Sequence, residues 1–141
     1  MEILGLFLDH RRGVVRRRTQ FRLNKALARE HIVEGLVKAL DIIDQVIQLI
    51  RSSASAAEAK DGLVGQLGFS ELQAQVILEM RLQRLTGLER EKLNEELRQL
   101  LRDIASYREI LGDARVLDGV IRDELRDLGR RFGDKDRRAH V

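Results

Sequence analysis

The chain has 141 residues, 43% of them apolar and 35% charged, and a net charge of only +3, so composition by itself makes no case for a nucleic-acid partner. It has no cysteine, which rules out disulfides, thiol nucleophiles and thiolate metal sites and fits a reducing cytosol. It has no proline, so the strongest helix breaker is missing and very long helices are permitted.

The opening Ile3–Leu8 is a short apolar lead, far below the roughly 18 residues of a membrane span. Basic residues follow it where a secretory signal would carry small ones, so no leader is read there. From Asp9 to Arg51 the pattern predicts one helix. Val14, Phe21, Ala28, Ile32, Leu36, Leu40, Ile43, Ile47 and Ile50 step mostly by three, four or seven, the seam of a coiled coil, and Val15, Val33, Val37 and Val46 widen that stripe toward the C-terminal end. At 1.5 Å per residue such a helix would be about 60 Å long. Gly13 and Gly35 each cost about 1 kcal/mol of helix propensity without ending it.

Ser52–Ser55 breaks the pattern. Ser55-Ala56-Ala57-Glu58 reads as a capping box opening a short helix that fades at Gly62, Gly65 and Gly68. Ser70-Glu71-Leu72-Gln73 is a second box and opens a central helix expected over Ser70–Leu85. Thr86-Gly87-Leu88-Glu89 is a third and opens a last long helix. Its seam is Leu93, Leu97, Leu100, Ile104, Tyr107 and Leu111. An interruption at Gly112-Asp113 follows, and then Leu117, Ile121, Leu125, Leu128 and Phe132. The polar residues after Gly133 have no period and are expected to be frayed or a linker.

The fold class is therefore all-α: a long antiparallel coiled-coil hairpin with a small helical globule at its tip. The divisions are residues 1–51 for the first long helix, 52–88 for the globule, 89–132 for the second long helix and 133–141 for the tail. Charge supports the antiparallel pairing. It sets the basic run Arg11, Arg12, Arg16, Arg17, Arg18, Arg22 and Lys25 beside Asp113, Asp118, Asp123, Glu124 and Asp127.

The central helix is apolar on more than one side. Leu72, Val76 and Met80 form one stripe; Ala74, Ile77, Leu78, Leu82 and Leu85 form a broader one. A helix apolar on two sides is covered on two sides, and a second copy of the chain is the simplest second cover. Leu72, Val76, Ile77, Met80 and Leu85 are the expected dimer contacts.

Convergent chemistry is not evident. His10, His31 and His140 are scattered and read as exposed helix residues, the carboxylates lie along solvated faces, and Tyr107 reads as a seam tyrosine. Catalytic, cofactor-binding and metal residues are all read as none. For the basic run, pairing with the acidic second strand accounts for most of the arginines, and Arg16, Arg17 and Arg18 remain as candidate DNA contacts.

Two stretches carry a resemblance. H-R-R-G-V-V-R-R-R-T-Q-F-R-L-N-K-A-L-A-R-E-H-I (His10–Ile32) and Q-A-Q-V-I-L-E-M-R-L-Q-R-L-T-G-L-E-R-E-K (Gln73–Lys92) closely resemble the A subunits of bacterial DNA gyrase and topoisomerase IV. The resemblance runs collinearly over nearly the whole chain. It implies the coiled-coil arm and the terminal globule of the exit gate, or C-gate, where two copies meet largely through the helix that begins at Ser70. It implies a cytoplasmic parent enzyme that changes DNA topology with ATP and Mg through other domains. The partners it implies are duplex DNA and an ATPase B subunit. It also implies no membrane, no small-molecule substrate and no catalytic residue in this segment. The family's cleavage tyrosine lies upstream of this arm, and Tyr107 does not match it. Gyrase and topoisomerase IV are not separated on these residues. The segment from Phe132, F-G-D-K-D-R-R-A-H-V, departs from the family's F-G-D-x-R-R-T by one extra residue and an alanine for threonine. The methionine at the start of the arm points to an excised piece or a free-standing fragment. The alternatives are a free-standing basic hairpin that binds nucleic acid through Arg11–Arg22 and a monomeric helical adaptor that binds another protein at its tip.

Overall fold

The computed structural model describes residues 2–80 and 87–139, with side chains between residues 5 and 131 apart from residue 88 within those stretches. It is all-α: α1 (Glu2–Asp41), α2 (Ile43–Ser52), α3 (Ala56–Leu67), α4 (Glu71–Glu79), α5 (Gly87–Gly112) and α6 (Ala114–Ala139). Among the described residues no helix is long and apolar enough to cross a membrane. The chain divides into two compact units, one of residues 1–24 and 103–141, the other of residues 25–102.

In the first unit α1 and α6 pack antiparallel. Val15 is buried with Leu117 and Ile121, with Ile110 and Val120 packed against them. Leu8 borders the same groove as Leu125, so the two helices run past each other in opposite directions. Here the structure corrects the expected register of α1. Phe21 is 61% exposed and Ala28 is exposed; Val15, on the widened stripe, is buried as expected, and with it Thr19, Leu23 and Ala26. The true stripe steps by four, four and three through a threonine and a small alanine. A count of large apolar residues alone drifts one position off it. Asp113 divides α5 from α6 as expected, and its Oδ1 accepts from the Arg115 amide at 2.8 Å. The backbone of α6 continues helical to Ala139, beyond the expected end at Phe132. Loss of periodicity there removes a buried face, but lysine, arginine and alanine keep good helix propensity.

The second unit holds the larger core: Leu36, Ala39 and Leu40 of α1, Val46 of α2, Leu63 of α3, Phe69, and Ala74 and Ile77 of α4. The helix expected to run unbroken to Arg51 is interrupted at Ile42 (φ −118°, ψ 35°), after which α2 begins. No proline or glycine marks that break. The amides of Ile42 and Val46 still reach the carbonyls of Lys38 and Ile42, at 3.2 and 3.1 Å. What favours the bend is burial: it lets Val46 join the core while Ile43, Leu49 and Ile50 pack against it. Gly62 gives α3 its close approach to α2, because a Cβ there would sit 3.1 Å from a Leu49 methyl. At the start of α3, Ser55 Oγ accepts from the Glu58 amide at 3.2 Å, but the Glu58 carboxylate reaches the amide of Ala54 and not that of Ser55. The first box is therefore half formed. At the end of α3, Gly68 takes a left-handed conformation (φ 76°), which glycine adopts without steric cost, and the Phe69 amide turns back to the Leu63 carbonyl at 3.2 Å. Arg29 meets Glu96 while Val37 and Leu40 border Arg90 and Asn94, so α1 and α5 are also antiparallel within this unit.

Candidate functional site

The box that opens α4 is complete. Ser70 Oγ accepts from the Gln73 amide at 3.1 Å, and the Ser70 amide donates to Gln73 Oε1 at 3.0 Å. From that start the nine residues of α4 turn one face inward and another outward. Ala74 and Ile77 are 0% and 2% exposed and lie in the unit's own core. Val76 and Leu78 are half-buried against it. Leu72 and Met80 stand out at 52% and 37%.

The two stripes expected on this helix are thus separated. Of the first stripe, Leu72 and Met80 face outward and Val76 is half-buried between them. Ile77, expected among the partner contacts, is enclosed by its own chain and leaves that set. Leu85 and Leu82 lie outside the described residues, as does Thr86 of the third box. The helix is also shorter than expected: it closes at Glu79, and Met80 is extended (φ −88°, ψ 140°) with its amide on the Val76 carbonyl at 2.9 Å.

The basic run of α1 divides in the same way. Arg12 grips Asp118 through Nε at 3.0 Å and Nη2 at 3.4 Å, and meets Asp9 at 3.1 Å. The hydrogen bonds from Arg12 hold the Asp118 carboxyl below its ordinary range and raise Arg12 itself. Arg16 and Arg122 add their fields at Asp118. Glu124 is shared by Arg11, at 2.9 Å, and Arg18. The Nε atoms of Arg11 and Arg18 are buried with no hydrogen-bond partner among the described residues. Five arginines therefore converge on two carboxylates. Of the candidate DNA contacts, Arg18 is held in this pairing, while Arg16 and Arg17 are exposed, Arg17 donating to the Gly13 carbonyl at 3.2 Å. In the other unit the hydrogen bonds that Arg29 donates to Glu96 likewise lower Glu96 and raise Arg29.

His31 departs from the exposed position that the sequence pattern predicts. It is half-buried, with Nε2 2.7 Å from Ser70 Oγ. The signal that could have found it is a polar stripe, His31, Gly35 and Lys38, inside an otherwise apolar stretch of α1. Among the described residues no group of histidine, cysteine, aspartate and glutamate could hold a metal ion.

Among the described residues the chain is all-helical, with antiparallel helix pairs within each unit and Leu72 and Met80 of α4 exposed. Residues 1–126 match the family of the A subunits of DNA gyrase and topoisomerase IV, and the chain belongs to that family. The DNA gyrase A subunit of Aminobacterium colombiense is 69% identical over 134 residues, which are 95% of this chain and 16% of that protein. Its counterpart in Lawsonia intracellularis is 62% identical over 86% of this chain and 15% of that protein. The one in Campylobacter jejuni is 53% identical over 94% and 15%. The chain thus spans about a sixth of the length of the curated relatives it matches.

Proposed function

We propose that this chain is the coiled-coil and exit-gate segment of a DNA gyrase A subunit. It acts as a mechanical gate through which a transported duplex leaves. The observation that carries the reading is α4: one face is enclosed by its own core, and the other keeps Leu72 and Met80 exposed beside Val76. A second copy presenting the same stripe would cover it, giving a two-fold contact of like with like. A gate must hold and yet part, so the interface should be modest, near or below the roughly 1,200 Å² at which stable specific interfaces begin. The segment itself makes and breaks no bond in this reading. ATP and Mg are used by other domains of a cytoplasmic parent enzyme, which works on duplex DNA together with the ATPase B subunit.

Sedimentation equilibrium over a wide concentration range tests it. A reversible dimer is expected, and Met80→Glu should abolish it while circular dichroism keeps its helical signal. A Met80→Glu chain that dimerises like the parent would remove this stripe from the account.

The excess of arginine supports a narrower second element. Arg16 and Arg122 add their charge at Asp118, which Arg12 engages by hydrogen bonds, so their charge is left for phosphates of the passing duplex. Weak duplex binding that falls steeply with salt, and falls further in Arg16→Ala with Arg122→Ala, is the expected result. Binding indifferent to salt would dismiss it.

A further inference from the structure

His31, Gly35 and Lys38 lie one above another on a single face of α1, four and three residues apart. All three meet the stretch Leu67–Gln73, which runs from the end of α3 through the turn into the first residues of α4. Lys38 Nζ donates to the Leu67 carbonyl at 2.8 Å and stands 4.6 Å from the centre of the Phe69 ring. His31 Nε2 is 2.7 Å from Ser70 Oγ, the same oxygen that caps α4. The His31 carbonyl accepts from Gln73 Nε2 at 2.7 Å, while the other end of that amide, Oε1, accepts from the Ser70 amide. Gly35 is buried between these contacts, and a Cβ there would lie 2.7 Å from Gln73 Cγ and 2.8 Å from Cδ. A free glutamine would swing aside. This one is held at both ends, so moving it breaks the capping box.

A nine-residue helix does not hold itself together in water, and its direction is set by what it leans on. The apolar packing of Ala74 and Ile77 is strong but non-directional, and it tolerates rotation and sliding. The polar contacts at Ser70 and Gln73 are directional, and the ones that reach outside α4 all come from one stripe of α1.

We propose that His31, Gly35 and Lys38 form a clasp that sets the orientation of α4, and so decides the angle at which Leu72 and Met80 are offered to a second copy. This rests on the dimer reading above. His31, Gly35 and Lys38, together with Gln73 on which they act, are positioning residues: none of them is placed in the contact itself. The clasp explains why a glycine stands in the middle of a buried stretch of α1, where alanine would give the better helix.

The test uses the whole chain and two readouts, self-association by sedimentation equilibrium and amide hydrogen exchange along α4. Gly35→Ala and Gln73→Ala should each weaken association about tenfold, as expected when directional hydrogen bonds are lost. The double variant should be no worse than Gln73→Ala alone, since both changes act through the same side chain. Ser70→Ala should weaken association and Ser70→Thr, which keeps the hydroxyl, should restore it. In the weakened variants the amides from Gln75 to Met80 should exchange faster while those of α6 keep their parent rates. Unchanged association in Gly35→Ala and Gln73→Ala, in a parent chain that dimerises, overturns the proposal whatever exchange shows. If the parent never dimerises, the dimer reading fails, and the clasp is judged by exchange alone: unchanged protection of α4 overturns it and faster exchange upholds it as the device that orients this helix.

Discussion

The two units are built on opposite terms. The unit of residues 25–102 buries eight residues from α1, α2, α3, α4 and the turn at Phe69 in one cluster. The unit of residues 1–24 and 103–141 buries three in its own cluster, Val15, Leu117 and Ile121, and flanks that seam with arginine pairs. Its sequence carries 15 lysines and arginines against 11 aspartates and glutamates, where the other unit carries 11 against 12. One unit is therefore held by enclosed apolar volume and the other by a thin seam between charged flanks. The difference teaches that enclosed apolar volume is concentrated in the unit that carries α4, while the excess of cationic charge is carried in the other.

The largest expected effect is at the core of residues 25–102. Leu63 is fully enclosed, and Leu63→Ala should cost about 2–5 kcal/mol, read as a shift in the urea midpoint. A loss as small as that of a surface substitution would break the comparison. Next comes Leu117→Ala in the thin seam, expected nearer the lower end of that range, at about 2 kcal/mol, because a two-helix seam relaxes more readily around the gap. An equal or larger loss than for Leu63→Ala would mean that the seam is as tightly packed as the core.

Smaller again is Glu124→Gln. It leaves Arg11 and Arg18, both half-buried, facing each other without a carboxylate between them. Melting should drop modestly, and added salt should recover part of the loss by screening the two guanidiniums. A variant as stable as the parent at low salt would show that the shared carboxylate contributes nothing.

The smallest effect is the pH dependence. Asp118 and Glu96 are both lowered by hydrogen bonds from arginine, from ordinary values of 3.8 and 4.5. A carboxyl lowered in the folded state binds its proton more readily when unfolded. Its contribution is therefore complete above those ordinary values and is lost as pH falls through the lowered ones. Thermal melts should be flat at neutral pH and decline only below about pH 4. Asp118→Asn should shrink the part of that decline that belongs to the seam. A decline between about pH 6 and 8, where histidine titrates, would assign the sensitivity to other groups.

Much of this architecture was readable in the residues, and the failures have physical causes. Ser70 with Gln73 announced the start of α4, and Asp113 announced the break between α5 and α6, because capping and helix interruption are local chemistry. Leu117 and Ile121 were on the expected seam. The break at Ile42 was not visible, since burial of Val46 favours it and no breaker residue marks it. The end of α4 at Glu79 was hidden by the apolar run that continues past it. Of the site, the two stripes of α4 were readable but not which one turns outward. That depends on where α1 and α3 lie, as the burial of Ile77 illustrates. The polar stripe of His31, Gly35 and Lys38 on α1 signalled an unusual face, but not its partner Ser70, 39 positions away, which no periodicity of α1 reaches.

The absence of cysteine makes the most direct test simple. Single cysteines placed at Leu72 and Met80, with one at the exposed Leu101 as control, would be treated with a short bismaleimide. A second copy seated stripe to stripe predicts covalent dimers from the α4 positions at concentrations where Leu101→Cys gives none. Cross-linking no better from α4 than from Leu101 would contradict the claim that this helix meets its own copy.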